Sequence, residues 1–225
     1  MIRFSLNERI LGDNERAAER LRARHREACT LALNLIASPG AGKTSLLEAT
    51  APLLAGRIRM GALVGDIATE RDADRLRRLG IPAKQILTGG ACHLDARQVE
   101  GALKQGGFEG LDILFIENVG NLVCPTSYDL GEDLKVALLS VTEGDDKPFK
   151  YPAIFSKAEI VLITKVDLLP HVTFDVDAVR NQVESLSGPG RLLLTSARTG
   201  EGIAAWTDLL QRRLTAKIAS PRMVS

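Results

Sequence analysis

An α/β fold built on a doubly wound, mostly parallel sheet is what the sequence predicts, and three observations predict it. Short apolar runs alternate with helix-like segments along the chain, the pattern of repeated strand–helix units. The runs Leu31–Ala37, Leu111–Ile116 and Ile160–Ile163 are apolar almost throughout instead of alternating, as strands buried on both faces are. The first of them ends in a loop of small residues, Ser38-Pro39-Gly40-Ala41, then Gly42-Lys43-Thr44 and a helix-like segment. That is the setting of a phosphate-binding P-loop.

Composition sets the outer bounds. A chain of 225 residues with 45% hydrophobic content can bury a substantial core. A net charge of +1 calls for neither nucleic acid nor an anionic membrane. Aromatic content of 4% leaves little surface on which bases could stack. No run of about 18 apolar residues is present, and the first residues lack the apolar stretch of a signal peptide. Three cysteines, Cys29, Cys92 and Cys124, fit a reducing compartment and argue against a disulfide framework. A cytoplasmic protein with no membrane contact is the expectation. The division expected is an N-terminal amphipathic helix over 1–28, packed on or flanking a nucleotide-binding domain over 29–225.

Taken in order, Asn7–Arg26 reads as the amphipathic helix. Ile10, Leu11, Ala17, Ala18 and Leu21 recur at near-helical spacing, with Arg16, Arg20, Arg22, Arg24 and Arg26 solvated. Interleaved Glu8, Glu15, Glu19 and Glu27 argue against a basic nucleic-acid-binding arm. Strand one, Leu31–Ala37, is followed by a helix to about Leu54. A strand over Ile58–Gly65 ends at Asp66, a helix covers Thr69–Leu79, and a short strand Ala83–Leu87. Gly89-Gly90 makes a turn before a helix over Asp95–Lys104. Strands follow at Leu111–Ile116, Val136–Thr142 and Ile160–Ile163, then a helix at Asp175–Leu186, a strand at Arg191–Leu194 and a closing helix at Ile203–Leu214. The residues of Lys147–Pro152 assign it no role, and a plain connection carrying two prolines is the simplest reading.

The phosphate loop gives the first candidate residues. Gly40 and Gly42 admit close approach of a ligand to the backbone, whose N–H groups at Ala41, Gly42 and Ser45 point to phosphate oxygens. Lys43 brings charge to the β and γ phosphates, and the Thr44 hydroxyl is placed to ligate Mg²⁺. One departure is visible: the usual first glycine of the motif is replaced by Ala37, followed by Ser38 and Pro39. A glycine-rich turn that binds nothing is the competing reading. Asp66 and Glu117 end apolar strands, where ligands sit in such sheets, and either can hold Mg²⁺ directly or through water. Glu117-Asn118-Val119-Gly120 has the spacing of a loop that senses a γ-phosphate through the Gly120 N–H. The competing reading for each acid is a helix cap or a loop charge. Thr164-Lys165-Val166-Asp167 resembles the Asn-Lys-x-Asp guanine motif. The two Asp167 oxygens can accept from guanine N1–H and N2–H₂, a donor pair adenine lacks, while the Lys165 stem lies over the base. Ser196-Ala197-Arg198 ends the next strand and resembles the Ser-Ala-Lys loop that caps guanine O6 with a backbone N–H, with Arg198 in place of Lys. GTP is therefore favoured over ATP. Arg71 lies near the switch and reads as solvated.

Cys92-His93 precedes a helix and Cys124 sits seven residues beyond Glu117. Two thiolates and an imidazole suit Ni²⁺ or Zn²⁺, not Mg²⁺. The spacing is unspecific, and two small buried thiols with a satisfied histidine would read the same. Adjacent Cys and His rarely both face one ion, and three ligands leave a site incomplete. Two copies of the chain about a two-fold axis would complete it, so the expected site lies at a dimer interface.

SPGAGKTSLLE, GDIATERDADR, GGACHLDA, FIENVGNLVCP, the run Asp146–Pro152 and SARTGEG together resemble the hydrogenase nickel-incorporation GTPases, the HypB family, from Leu31 to Leu214. The resemblance implies a dimerising, slow P-loop GTPase of the SIMIBI-like metallochaperone branch that hands nickel to a [NiFe]-hydrogenase large-subunit precursor with a maturation partner. By position it assigns Gly40, Gly42, Lys43 and Thr44 to phosphate and Mg²⁺, Asp66 and Glu117 to the metal and the attacking water, Lys165 and Asp167 to guanine, and Cys92, His93 and Cys124 to Ni²⁺ or Zn²⁺. The Cys-rich N-terminal motif and His-rich stretch of some members are not found in this sequence, so nickel storage is not expected. The alternatives carried forward are a urease-accessory-type nickel GTPase, a P-loop small-molecule kinase, and a binding module with vestigial hydrolysis.

Overall fold

The computed structural model of the chain describes residues 2–66 and 71–219. Seven strands among the described residues form one sheet: β1 (Leu31–Ala37), β2 (Met60–Asp66), β3 (Ala83–Leu87), β4 (Ile113–Glu117), β5 (Leu134–Ser140), β6 (Ile160–Thr164) and β7 (Leu192–Leu194). Their order is β3-β2-β4-β1-β5-β6-β7, and every neighbouring pair is parallel. The sheet is thus doubly wound, and its carboxyl ends meet along one edge, where open α/β sheets bind ligands. The helices are α1 (Ile2–Glu27), α2 (Lys43–Leu54), α3 (Arg71–Arg78), α4 (Ala96–Lys104), α5 (Lys147–Lys150), α6 (Pro152–Lys157), α7 (Val176–Ser187) and α8 (Ile203–Ala219).

The continuous apolar runs are continuous because both faces of the sheet are covered. Leu31, Leu33, Leu35 and Ala37 of β1 join the cluster that contains Leu46, Leu47, Leu76, Trp206 and Leu210, from α2, α3 and α8. Leu114 and Ile116 of β4 pack with Ala17, Ala18 and Leu21 of α1 and Val99 and Leu103 of α4. Ile36, Ala137 and Leu139 pack with Ile154, Phe155, Val179 and Val183 of α6 and α7. Trp206 is fully buried, and its Nε1 donates to Thr50 Oγ1 at 3.1 Å.

The N-terminal helix is docked, not free. Beside its apolar stripe, the Arg20 guanidinium donates to both Glu100 oxygens at 2.9 and 3.0 Å, which holds that carboxyl down to about 2. The expectation that all five arginines of this helix are solvated holds for Arg16, Arg20 and Arg26; Arg22 and Arg24 are half-buried, and Arg22 pairs with Asp129. The side chains of Glu8 and Ile10, and the expected helix start at Thr69, lie outside the described residues.

Two local expectations need correction. The strand expected over Val136–Thr142 runs from Leu134 to Ser140 and stops there. Ser140 accepts from Thr142 N while Glu143 accepts from Ser140 N, a capping box that bends Val141–Glu143 into a single tight turn. Lys147–Pro152 is not a plain connection. Each proline enters the first turn of a short helix, Pro148 in α5 and Pro152 in α6, where its missing N–H has no partner to lose. The Lys147 and Lys150 ammonium groups beside Asp146 hold its carboxyl down at about 2.

His25, in the last turn of α1, is 3% exposed, and burial with Lys217 nearby pushes its imidazole down to about 4. The unfolded chain therefore binds a proton from about pH 6.5 that the folded chain refuses until about pH 4. Stability from this group is full above pH 6.5 and declines as pH falls toward 4. We expect His25→Gln to remove this component, up to about 3 kcal/mol, when urea unfolding is compared at pH 7 and pH 4.5.

Candidate nucleotide and metal site

The loop after β1 turns into α2 at Gly42, whose φ of 95° is one that side chains resist, and Lys43 opens the helix. Helix α2 therefore points its free N–H groups into the cleft at the sheet edge. Gly40, Lys43, Thr44, Asp66, Glu117 and Gly120 all line this part of the cleft, about 470 Å³ in volume. Glu117 ends β4 with 5% exposure and accepts from Thr44 Oγ1 at 3.0 and 3.2 Å to its two oxygens. Burial pushes its carboxyl up to about 7, against the pull of the Lys43 ammonium. Thr44, Asp66 and Glu117 make an all-oxygen donor set, and a buried carboxylate so displaced fits a hard divalent cation such as Mg²⁺.

Gly120 rests against the phosphate loop. A Cβ there would come within 2.8 Å of Pro39 N and Cγ. The loop after β4 and the loop after β1 are thus in backbone contact, and no side chain fits between them.

On the other side of Gly42 the cleft continues for about 530 Å³, lined by Lys165, Asp167, Ala197 and Arg198. Ser196 Oγ donates to Asp167 Oδ1 at 2.5 Å, which leaves the rest of that carboxylate to face the cleft. Lys165 takes the left-handed conformation, φ 59°, between β6 and Val166. Thr164, which stands where the guanine motif has Asn, donates to Ala41 O at 2.7 Å and ties the base-side loop to the phosphate loop. Ala41 itself is fully buried and lines neither part of the cleft.

Cys92, His93 and Cys124 come together. Their ligand atoms lie within 4.8 Å of one another, with Cys92 Sγ 3.7 Å from His93 Nδ1. Adjacent Cys and His do reach one point here, contrary to the expectation from their spacing. The reason is local: Asp95 and Gln98 form a capping box that fixes the start of α4, and the His93 ring stacks on Tyr128 with centroids 3.8 Å apart. The neighbouring Cys124 thiol, then burial, push the Cys92 thiol up, and burial, opposed by Asp95, lowers the His93 imidazole. A neutral imidazole beside two thiols is a soft donor set for Ni²⁺ or Zn²⁺.

Sequence reasoning missed Arg75, Asp72 and Asn118. Arg71 is exposed at the head of α3, and the arginine that enters the cleft lies one turn further on. Arg75 donates to Glu48 at 2.6 and 2.9 Å, to Asp72 at 3.0 Å and to Ser45 Oγ at 3.2 Å. The Asp72–Arg75 spacing, three residues on a helix, was the available signal.

A doubly wound sheet with Gly42-Lys43-Thr44 at a helix head, an acid at the end of β4 and Lys165-x-Asp167 opposite defines a P-loop nucleotide-binding protein. Residues 31–192 match the CobW/HypB/UreG nucleotide-binding domain, and the chain belongs to that family, in its hydrogenase maturation factor HypB branch. It is 49% identical to the hydrogenase maturation factor HypB of Azotobacter vinelandii over 95% of this chain and 72% of that one. The HypB crystal structure from Archaeoglobus fulgidus is 40% identical with a TM-score of 0.85, over 91% of this chain and 100% of that one. HypB from Helicobacter pylori, crystallised in complex with nickel, is 38% identical with a TM-score of 0.86, over 93% and 99%. No helix among the described residues is long and apolar enough to cross a membrane.

The contact between Gly120 and Pro39 has a measurable consequence. We expect Gly120→Ala to destabilise the protein by about 1–3 kcal/mol, the usual cost of overpacking, in urea unfolding of the nucleotide-free protein.

Proposed function

We propose that the protein is a GTP-hydrolysing nickel metallochaperone of hydrogenase maturation. It acts in the cytoplasm as a homodimer whose nucleotide state governs a Ni²⁺ or Zn²⁺ site between the two copies. The observation that carries the reading is the placement of Cys124. It shares one short segment with Glu117 and Gly120 at the phosphate cleft, yet lies within 4.8 Å of Cys92 and His93. The nickel complex of the Helicobacter pylori relative supports the choice of cargo.

Ala41, Gly42 and Ser45 hold the phosphates by backbone N–H groups, and Lys43 stabilises charge on the transferring phosphoryl group. Thr44, Asp66 and Glu117 would hold Mg²⁺, which when bound neutralises charge on the β and γ phosphates. Glu117 orients the attacking water, whose oxygen bonds to the γ-phosphorus as the bond to the β-phosphate oxygen breaks and GDP leaves. Gly120 N–H senses the γ-phosphate, and its loss relaxes the segment up to Cys124. Asp167 and Lys165 select guanine, with Ser196 and Ala197 closing the base pocket. One copy offers three metal ligands, and a second completes a four-coordinate site. Val123 and Leu87, 58% and 55% exposed, flank the ligand loops and give that contact an apolar rim. The receivers of the metal are a maturation partner and the hydrogenase large-subunit precursor.

A titration with GTP and with ATP, each with and without Ni²⁺, followed by mass measurement in solution, tests the reading. GTP should bind at least about tenfold more tightly than ATP, and the mass should double with GTP and Ni²⁺. An ATP preference, or a monomer under full loading, overturns it. We expect Lys43→Ala to lower kcat by roughly 100-fold or more while the protein stays folded. Cys124→Ala should lose the nucleotide dependence of Ni²⁺ binding and keep GTP binding.

A further inference from the structure

Between the phosphate cleft and the Cys92-His93 loop lies a buried amide that no reading of the motifs requires. Asn118 is fully buried. Its backbone N–H continues the sheet by donating to Leu35 O at 3.0 Å, one residue past Glu117. Its side chain bonds to the Leu94 and Val119 backbone and to Asn34. Oδ1 accepts from Leu94 N at 3.0 Å and from Val119 N at 3.0 Å, and Nδ2 donates to Asn34 Oδ1 at 3.1 Å. Asn34, fully buried in the central strand β1, is held in turn by donating to Glu132 Oε1 at 3.2 Å. The amide is therefore satisfied on both ends and has one orientation. A buried polar group cannot shift without breaking bonds that no water replaces.

Leu94 is the residue after His93, and it too is fully buried. Any displacement of the segment that begins at Asn118 pulls directly on the backbone that carries Cys92 and His93. The same segment carries Cys124 at its far end, where Asn121 Oδ1 accepts from Val123 N at 2.7 Å and stiffens the approach. The opposite side of the metal loop is anchored elsewhere. Asn14 of α1, 3% exposed, accepts from Ala96 N at 2.8 Å and donates to Asp129 O at 2.9 Å. One asparagine, on the docked N-terminal helix, fixes the frame, and the other lies on the segment in contact with the phosphate loop.

We infer that Asn118 is a positioning residue that conveys the nucleotide state to the Cys92-His93 half of the metal site, through its hydrogen bond to Leu94 N. This rests on the proposed coupling of nucleotide and metal, and adds a second route to it. Through the Glu117–Cys124 segment alone, only Cys124 would respond to the phosphate. With the Asn118 bond, all three ligands move as a set.

The test reads Ni²⁺ affinity with a non-hydrolysable GTP analogue and with GDP, in the wild type and in Asn118→Ala. The quantity of interest is the ratio of the two affinities, whatever their absolute values. A wild-type ratio of at least about fivefold that falls by half or more in Asn118→Ala, the Cys124 route remaining, supports the inference. A ratio unchanged in the variant overturns it and leaves the coupling itself standing. A wild-type ratio of one overturns the coupling and the relay together. Should Asn118→Ala not fold, the wild type answers alone: the ¹⁵N amide signal of Leu94 in metal-free protein must shift when the GTP analogue replaces GDP. A Leu94 signal that stays fixed while that of Gly120 moves overturns the relay. A merely structural asparagine would alter stability and leave that signal fixed.

Discussion

A carboxylate taken out of water at the foot of the cleft governs the rest. Glu117 ends a strand buried on both faces, so its charge has no solvent to stabilise it. The Thr44 hydroxyl and the Lys43 ammonium partly offset that burial and still leave the carboxyl near 7. Such a group is costly unless a cation or a proton attends it, which is why structural carboxylates rarely occupy this position and functional ones do. Everything that surrounds it is arranged by the sheet. Parallel strands deliver Gly42, Asp66, Glu117, Lys165 and Ser196 to one edge from segments far apart in the chain.

The sheet and the phosphate loop were legible because their signals are local and strong. The strands at Leu31–Ala37 and Ala83–Leu87 have the bounds expected from the sequence. The acids at strand ends could be named because the carboxyl ends of parallel strands converge. Less legible were positions where a side chain replaces a backbone partner. The end of β5 is set by Ser140 and Glu143 capping each other, and a periodicity argument runs through such a stop. The prolines of Lys147–Pro152, which read as part of a plain connection, start two short helices. Arg22 was given to solvent because its partner, Asp129, is 107 residues away.

The candidate metal ligands show the limit of spacing arguments. Nothing in the separation of Cys92 from Cys124 reveals that the two meet. They do because β3 and β4 both end at the same edge, with only β2 between them, and their following loops lean together. Asn118 was invisible for a related reason. An asparagine inside a motif reads as loop chemistry, and only its depth of burial and its bond to Leu94 distinguish it from a solvated turn residue.

The sole tryptophan of the chain has a practical consequence. Trp206 lies on the α8 face of the sheet, sealed from water and bonded to Thr50 in the middle of α2. Its emission should be blue-shifted in the native protein and should report melting of the whole sheet. For the same reason it makes a poor optical probe of ligand arrival, and Tyr128, in contact with His93, is the better-placed chromophore for following occupation of the proposed metal site.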